Sequence, residues 1–338
     1  MKRLARRLAG LLTLAGICLM TGGADSRLGT YLLARPQEDR MKNVTVLTTA
    51  PSYDPTMPKR LMQAVGLAPP KESFSPPPSP TPEPDTILET TIEGGMRIKN
   101  ETGYWVDAAE LLTEGPGLTL PPDEPQILII HTHASEAYTQ SGADRYTPSD
   151  TNRTEDTQFN VVRIGDELTE ILTEEGLNVI HDRGIYDYPS YTGSYSRAGA
   201  AIEQYLESCP GIRVVLDIHR DALGANGVVY KTMAEEDGST ASQVMLLVGT
   251  DESGLEHPCW RGNLAFALYL QNAANSAYPT LMRPVELVPQ RYNQQLTPGS
   301  LIVEVGSNGN TLREALAAIR LFGRAIAPAL SALVLYGQ

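Results

Sequence analysis

At 338 residues the chain is longer than one ordinary domain, so it holds either one large domain with extra segments or two domains. Its formal charge of −13 argues against general nucleic-acid binding, because a phosphate-tracking surface needs a basic excess. The three cysteines, Cys18, Cys209 and Cys259, show no CxxC spacing; neither a disulfide scaffold nor a cysteine zinc site is indicated, and Cys209–Cys259 is the one pairing left outside the N-terminal segment.

Lys2, Arg3, Arg6 and Arg7 precede an apolar run over residues 8–23, the order of a basic n-region and an h-region in an export signal. The run is a little shorter than the roughly 20 residues of a spanning helix, and Gly22 and Ala24 are small enough for a cleavage site. A cleaved signal and an uncleaved single-pass anchor therefore both fit. Ala15-Gly16-Ile17 lacks the small residue that a lipoprotein cleavage box wants just before Cys18. In either case the basic flank stays in the cytoplasm and the rest is exported, which places the protein at the cell membrane, or outside it if the signal is cleaved. Residues 25–67 show no core pattern. From Ala68 to Pro84 proline alternates with Ser, Thr, Glu and Lys, a composition that favours extended polyproline backbone and cannot bury a core. The predicted layout is a signal or anchor over 1–24, a membrane-proximal segment and tether over 25–86, and a folded unit over 87–338.

Within that unit, Thr90 to Lys99 reads as a short hairpin around Gly94-Gly95, and Trp105 to Leu112 as a short helix. Ile127–Ile130 is an apolar run of strand length, its start fixed by Pro121, Pro122 and Pro125. From Phe159, Val162, Ile164, Leu168, Ile171 and Leu172 recur at helical spacing until Gly176. Leu177 to His181 is a short strand, Tyr195 to Leu206 a helix, and Ile212 to His219 a strongly apolar strand. Further strands are predicted over Val228 to Thr232, Gln243 to Val248 and Leu301 to Val305, and helices over Trp260 to Ala277 and Leu312 to Leu335. Strands alternating with long helices imply an α/β domain whose mostly parallel central sheet is flanked by helices.

Ligands of open α/β sheets gather outside the carboxyl ends of the strands. The Ile127–Ile130 run empties into His131-Thr132-His133 with Glu136 close behind, and these are two of only five histidines in the chain. Side chains two apart in extended backbone share a face, so His131 and His133 are expected on the same side. A second strand ends in His219-Arg220-Asp221, and a third carries Glu304 inside an apolar run. Burying a lone carboxylate or imidazolium costs on the order of several kcal/mol unless it is paired or bound to metal. Two histidine-bearing strand ends with two carboxylates match the His₂Glu set of catalytic zinc sites, one carboxylate remaining as general base. The plainer readings are that Glu136 caps the next segment, that Asp217 is either a partner of His219 or an ordinary strand carboxylate, and that Arg220 and Asp221 pair at the surface. His181 reads as a loop histidine and His257 as structural. Ser135 lacks a G-x-S-x-G setting, and no Gly-Lys-Ser/Thr follows Gly306 and Gly309, so a serine hydrolase and a phosphate loop are poor readings.

His131-Thr132-His133-Ala134-Ser135-Glu136, Asp217-Ile218-His219-Arg220-Asp221, and Glu304-Val305-Gly306 with Asn310-Thr311 resemble the stage II sporulation protein P family. Ile98 to Tyr104 and Val161 to Asp166 resemble further stretches of it, so the likeness runs from about Ile98 to the C-terminus. That family is similar to zinc-dependent N-acetylmuramoyl-L-alanine amidases. The resemblance implies an amidase-like fold, peptidoglycan as substrate, and hydrolysis of the amide between the muramic lactyl group and the first alanine, with an endopeptidase activity beside it. It implies septal wall degradation and engulfment during sporulation as the setting. The implied partners are the lytic transglycosylase stage II sporulation protein D and the membrane protein stage II sporulation protein M.

Carried over by position, a Zn²⁺ ion would be held by His131 or His133, by Glu136 and by His219, with Glu304 as catalytic base and Arg220 as an oxyanion or substrate-carboxylate contact. In the wider amidases the first ligand follows a turn about three residues past the strand, which favours His133, while strand-end position keeps His131 open. Those amidases also take a glutamate from the start of the first long helix, where this chain has Asp156. Two other readings are carried: a metal-free wall-binding scaffold that recruits a partner hydrolase, and a peptide-only endopeptidase.

Overall fold

The computed structural model describes residues 86–236 and 238–335; the predicted N-terminal signal or anchor, and the tether up to residue 85, lie outside the described residues. Twelve strands and five helices follow in the order β1 (Thr86–Thr90), β2 (Ile98–Asn100), α1 (Ala108–Glu114), β3 (Ile127–Ile130), α2 (Val161–Glu174), β4 (Val179–His181), α3 (Ser194–Ser208), β5 (Val214–Asp221), β6 (Gly224–Ala225), β7 (Val228–Thr232), β8 (Ala234–Glu236), β9 (Ser239–Ala241), β10 (Val244–Gly249), α4 (Trp260–Ala277), β11 (Val285–Val288), β12 (Gly299–Ser307) and α5 (Leu312–Ser331).

Local signals account for the helix ends. Asn160 caps α2 by accepting from the Val162 amide at 3.0 Å, and the chain leaves the helix through Gly176 at φ 90°, a left-handed turn suited to glycine. Thr311 and Glu314 form a reciprocal capping box at the start of α5.

The central sheet has seven strands in the order β2-β11-β10-β12-β5-β3-β4. It is mixed rather than mostly parallel. β12, β5, β3 and β4 run one way and β2, β11 and β10 run the other, with β10 and β12 meeting antiparallel. The connection before β12 supplies the reason. Parallel return needs a crossover of a dozen or more residues, usually helical, and only the short stretch 289–298 separates β11 from β12.

Alternate residues of the strands face opposite ways and define two unequal layers. Ile127, Ile129, Leu216, Ile218, Leu301, Val303 and Val305 pack with α1, α2, α4 and α5 in the main core. Leu128, Ile130 and Val215 turn to the other face, where Ala198 and Ile202 of α3 cover them. Farther along that face Met245, Leu247, Val288 and Ile302 form a small cluster against Tyr292. The face carrying α3 is thus only partly roofed, and by the same alternation His219 of β5 and Glu304 of β12 lie on it.

Some expectations are corrected, and the pairing of Cys209 with Cys259, left open by the sequence, is decided. The stretch 90–99 is not a hairpin: β1 pairs in parallel with β7, and β2 in parallel with β11. Gly94 serves a close approach instead, since a Cβ there would lie 1.7 Å from the Met282 carbonyl oxygen. Cys209 and Cys259 are free thiols; Cys209 packs under α3, and Cys259 Sγ lies 3.7 Å from the Gln295 carbonyl. His181 is buried at the end of β4 rather than in a surface loop. No helix among the described residues is long and apolar enough to cross a membrane, and the predicted anchor lies outside those residues.

Candidate metal centre

β5 and β12 are parallel neighbours whose register sets Glu304 beside His219. Asp217, two residues before His219, shares its face, and across the strand end lies the loop that follows β3. That loop turns sharply: the Glu136 amide donates to the His133 carbonyl at 3.0 Å, which throws both side chains toward β5. His133 Nδ1 lies 3.5 Å from Glu136 Oε1, and His219 Nδ1 lies 3.3 Å from Glu136 Oε2. One ligand atom from each of His133, Glu136 and His219 falls within 4.8 Å of the others, and all three side chains are buried.

The opposite ring nitrogens are held as well. His133 Nε2 is 3.1 Å from Ser194 Oγ, at the first residue of α3. His219 Nε2 is 3.0 Å from Asp217 Oδ1, a charge contact without the alignment of a good hydrogen bond. Asp217 is itself fixed by the Thr132 amide at 2.8 Å and the Thr132 hydroxyl at 2.6 Å. Outer groups of this kind orient metal-binding imidazoles and raise their basicity. Rings complete the walls: Tyr191 stacks on His133 at 4.5 Å, and Tyr195 meets it edge-on at 5.3 Å.

The charges are unusual. Burial opposes a charged His219, but Asp217 and then Glu136 outweigh it and hold the imidazolium well above its ordinary range. Burial likewise opposes an ionised Glu136, yet the Arg220 charge and the two histidines keep it well below the usual carboxylate range. For Glu304 burial wins, moving it up to about 8, and its Oε2 is buried without a hydrogen-bond partner. The donor set suits zinc: two imidazoles and a carboxylate converge, their far sides are anchored, and a second carboxylate oxygen stands unsatisfied beside them.

The predicted residues do not all meet. His131 faces away from His133, because the chain leaves extended geometry immediately after Ile130 and the alternation of faces stops applying. Its Nδ1 lies 3.1 Å from the Ile218 carbonyl, supplying the donor that β3 would have offered had it continued, and its Nε2 lies 2.8 Å from His181 Nε2. Burial first, then His181, pushes its pKa down to about 3. Gly165 permits this histidine pair, since a Cβ there would sit 2.5 Å from His181 Nε2. Arg220 is no surface partner of Asp221. Its amide donates to Glu136 Oε2 at 3.2 Å, while its guanidinium is spent on the carbonyls of Ala137, at 3.0 Å, and Asn152, at 3.1 Å. Asp221 pairs with Arg283 at 2.7 Å. Asp156 is exposed and accepts from the Gln158 amide.

Sequence reasoning did not find Arg153, which reaches Glu136 Oε1 at 3.3 Å and Asp187 Oδ2 at 2.8 Å, nor Ser194, Tyr191 and Tyr195. These lie in polar loops or at a helix start, and neither period nor spacing marks them.

The family model for Stage II sporulation protein P (SpoIIP) matches residues 79–327. Stage II sporulation protein P of Bacillus subtilis (strain 168) is 23% identical over 252 residues, spanning 70% of this chain and 58% of that protein. The chain therefore covers less than two thirds of that relative's length. Among solved structures, N-acetylmuramoyl-L-alanine amidase AmiC2 of Nostoc punctiforme is similar at 15% identity and TM-score 0.34, over 61% of this chain and 95% of that one. The amidase Ami1 of Mycobacterium abscessus gives 13% and 0.36, over 62% and 98%. That of Clostridium difficile 630 gives 14% and 0.34, over 62% and 96%. With the match extending over most of its length, the chain belongs to the stage II sporulation protein P family.

Proposed function

We propose that the protein is a zinc-dependent peptidoglycan hydrolase that cleaves the N-acetylmuramoyl-L-alanine amide during sporulation. One observation carries this reading: His133, Glu136 and His219 converge, with the unsatisfied Glu304 carboxylate next to His219 on the adjoining strand. When bound, zinc supplies Lewis-acid polarisation of the scissile carbonyl and acidifies a water to a pKa of about 7. His133, Glu136 and His219 would hold it, and Ser194 and Asp217 fix the two rings. Glu304 accepts the proton of the attacking water and delivers it to the leaving amine. A nearby dication favours the ionised form of Glu304 that this step needs. Arg220 ties the β3 loop to β5 and sustains the charge of Glu136.

Expression in a sporulating cell, anchorage by the N-terminal segment, and work beside stage II sporulation proteins D and M at the septal wall complete the proposal. Family membership and the export-like N-terminal pattern support that setting. The test is cleavage of purified sacculi. Glu304→Gln should keep zinc and lose activity by a factor of about 10² or more, while His219→Ala should lose both. Full activity in Glu304→Gln would remove that residue from the mechanism. Cleavage that survives chelation would dismiss the zinc enzyme, and binding without any cleavage would favour a scaffold. Mass analysis of the released fragments separates amidase action, which frees whole stem peptides, from endopeptidase action.

A further inference from the structure

Beside the candidate centre lies a groove of about 290 Å³, lined among others by Tyr195, Ser196, Ser253, Gln290, Arg291 and Tyr292. Tyr195 joins the two spaces: its ring meets His133 at 5.3 Å on one side and Tyr292 at 5.2 Å on the other. The groove therefore begins where the proposed chemistry ends.

Its floor is built on strained backbone. Tyr292 and the following Asn293 have φ of 49° and 61°, a left-handed pair without glycine. The other non-glycine residues with positive φ among those described are the asparagines Asn152 and Asn226, whose short amides suit that region; a tyrosine does not. Such a residue is disfavoured and persists only where its surroundings over-determine it. Here they do. Asn293 Nδ2 donates to the Tyr195 carbonyl at 2.8 Å, and the buried Gln294 amide bridges the end of β10, accepting from Gly249 N and donating to Leu247 O, each at 2.9 Å. Gly249 lies so close that a Cβ would be 2.1 Å from the Gln290 carbonyl oxygen. A rigid, strained loop beside a reacting centre is the form that a ligand-shaping element takes.

The lining defines the ligand. The hydroxyls of Ser196 and Ser253 and the amide of Gln290 offer donors and acceptors of the kind a peptide backbone pairs with, and the tyrosines and the exposed Leu255 offer apolar contact. Arg291 is the one cation in this lining. Its Nη1 donates to the Glu256 carbonyl at 3.0 Å, and it has no ion pair among the described residues. In a chain of net charge −13 that is a cation placed for an anionic group of the ligand.

We infer that this groove receives the peptide side of the scissile amide, and that Arg291 pairs with the free α-carboxylate of the second residue, D-glutamate. The inference rests on the hydrolase reading above. In peptidoglycan that D-glutamate continues the chain through its side chain, so its α-carboxyl group is free in some walls and amidated in others. Arg291 would therefore make the enzyme sensitive to amidation.

Calorimetric titration of the full chain with L-alanyl-γ-D-glutamyl stem tripeptide, and with its isoglutamine counterpart, reads the groove without requiring hydrolysis. The wild type should bind the free acid about tenfold or more tighter than the amide, the scale of a charge-assisted pair. Arg291→Ala should abolish that preference with the amide's affinity unchanged, and Arg291→Lys should restore part of it. Equal affinity for the two peptides in the wild type, an equal loss on both in Arg291→Ala, or no binding of either overturns the inference. Cleavage of sacculi by wild type and Glu304→Gln, run in parallel, reports on the hydrolase reading separately. Active wild type with no peptide preference overturns the inference and leaves the hydrolase standing, whereas the preference without cleavage removes the hydrolase and keeps the groove as a stem-peptide site.

Discussion

His219 lies between Asp217 and Glu136 as an imidazolium, so an incoming metal ion must displace its proton, and ionisation of Glu304 beside the ion releases another. Zinc affinity should therefore rise with pH across neutrality, which competition against a chelator at several pH values would measure; a flat profile contradicts the assignment. Asp217→Asn should weaken zinc by roughly 10–100-fold through loss of ring orientation. The metal-free protein has its own pH signature. Glu304 is raised from the ordinary 4.5 to about 8, so the folded chain holds a proton that the unfolded chain has released. The stability that Glu304 contributes is therefore full below its ordinary 4.5 and is lost as pH climbs through the folded value. His131, lowered to about 3, works the opposite way but only below its ordinary 6.5. Between pH 6.5 and 8 the Glu304 contribution should fall by about 1–2 kcal/mol. Urea unfolding in chelator, with Glu304→Gln as the flatter control, tests this. The identity of the polar residues was legible at this scale because charge inside apolar runs is conspicuous. Which histidine faces the centre was not, because it depends on where extended backbone ends.

Among elements, α5 shows how far sequence reached. Its apolar stripe of Ala315, Ala318, Ile319, Phe322, Ile326 and Leu330 is buried in the main core, and its start is marked by Thr311 and Glu314. Thr311→Ala should cost about 1 kcal/mol, the usual worth of an N-cap, and Phe322→Ala about 3–5 kcal/mol for a fully buried ring. Thermal or urea unfolding of the two variants would show whether the larger loss falls in the core as expected. β7 and α4 lie at the predicted bounds because composition and period agree there. The two-residue β6, the β8–β9 pair and the four-residue β11 were not legible; unlike the equally short β3, an unbroken apolar run, each carries glycine or polar residues and is set by its partners.

For the molecule as a whole, the described elements form their sheets and cores among themselves, β1 closing the set by pairing with β7. A fragment beginning at residue 86 should accordingly unfold cooperatively with a melting temperature within a few degrees of that of the full chain. A broad or much lower transition would show that the preceding segment contributes to the fold. By itself the sequence determined an α/β domain and the three strand ends at which ionisable groups gather; the export-like leader and proline-rich tether are its expectations for residues outside those described. Those are properties of local period and composition. Tertiary structure decided that the sheet is mixed, that His133 and not His131 joins Glu136 and His219, that Arg220 turns to backbone carbonyls, and that Tyr195, whose ring meets His133, lines a groove with Arg291. The reason is distance along the chain. The groups at 133–136, 219 and 304 become neighbours only through parallel strand register, and a one-residue difference in where β3 leaves the sheet changes which side chain points inward.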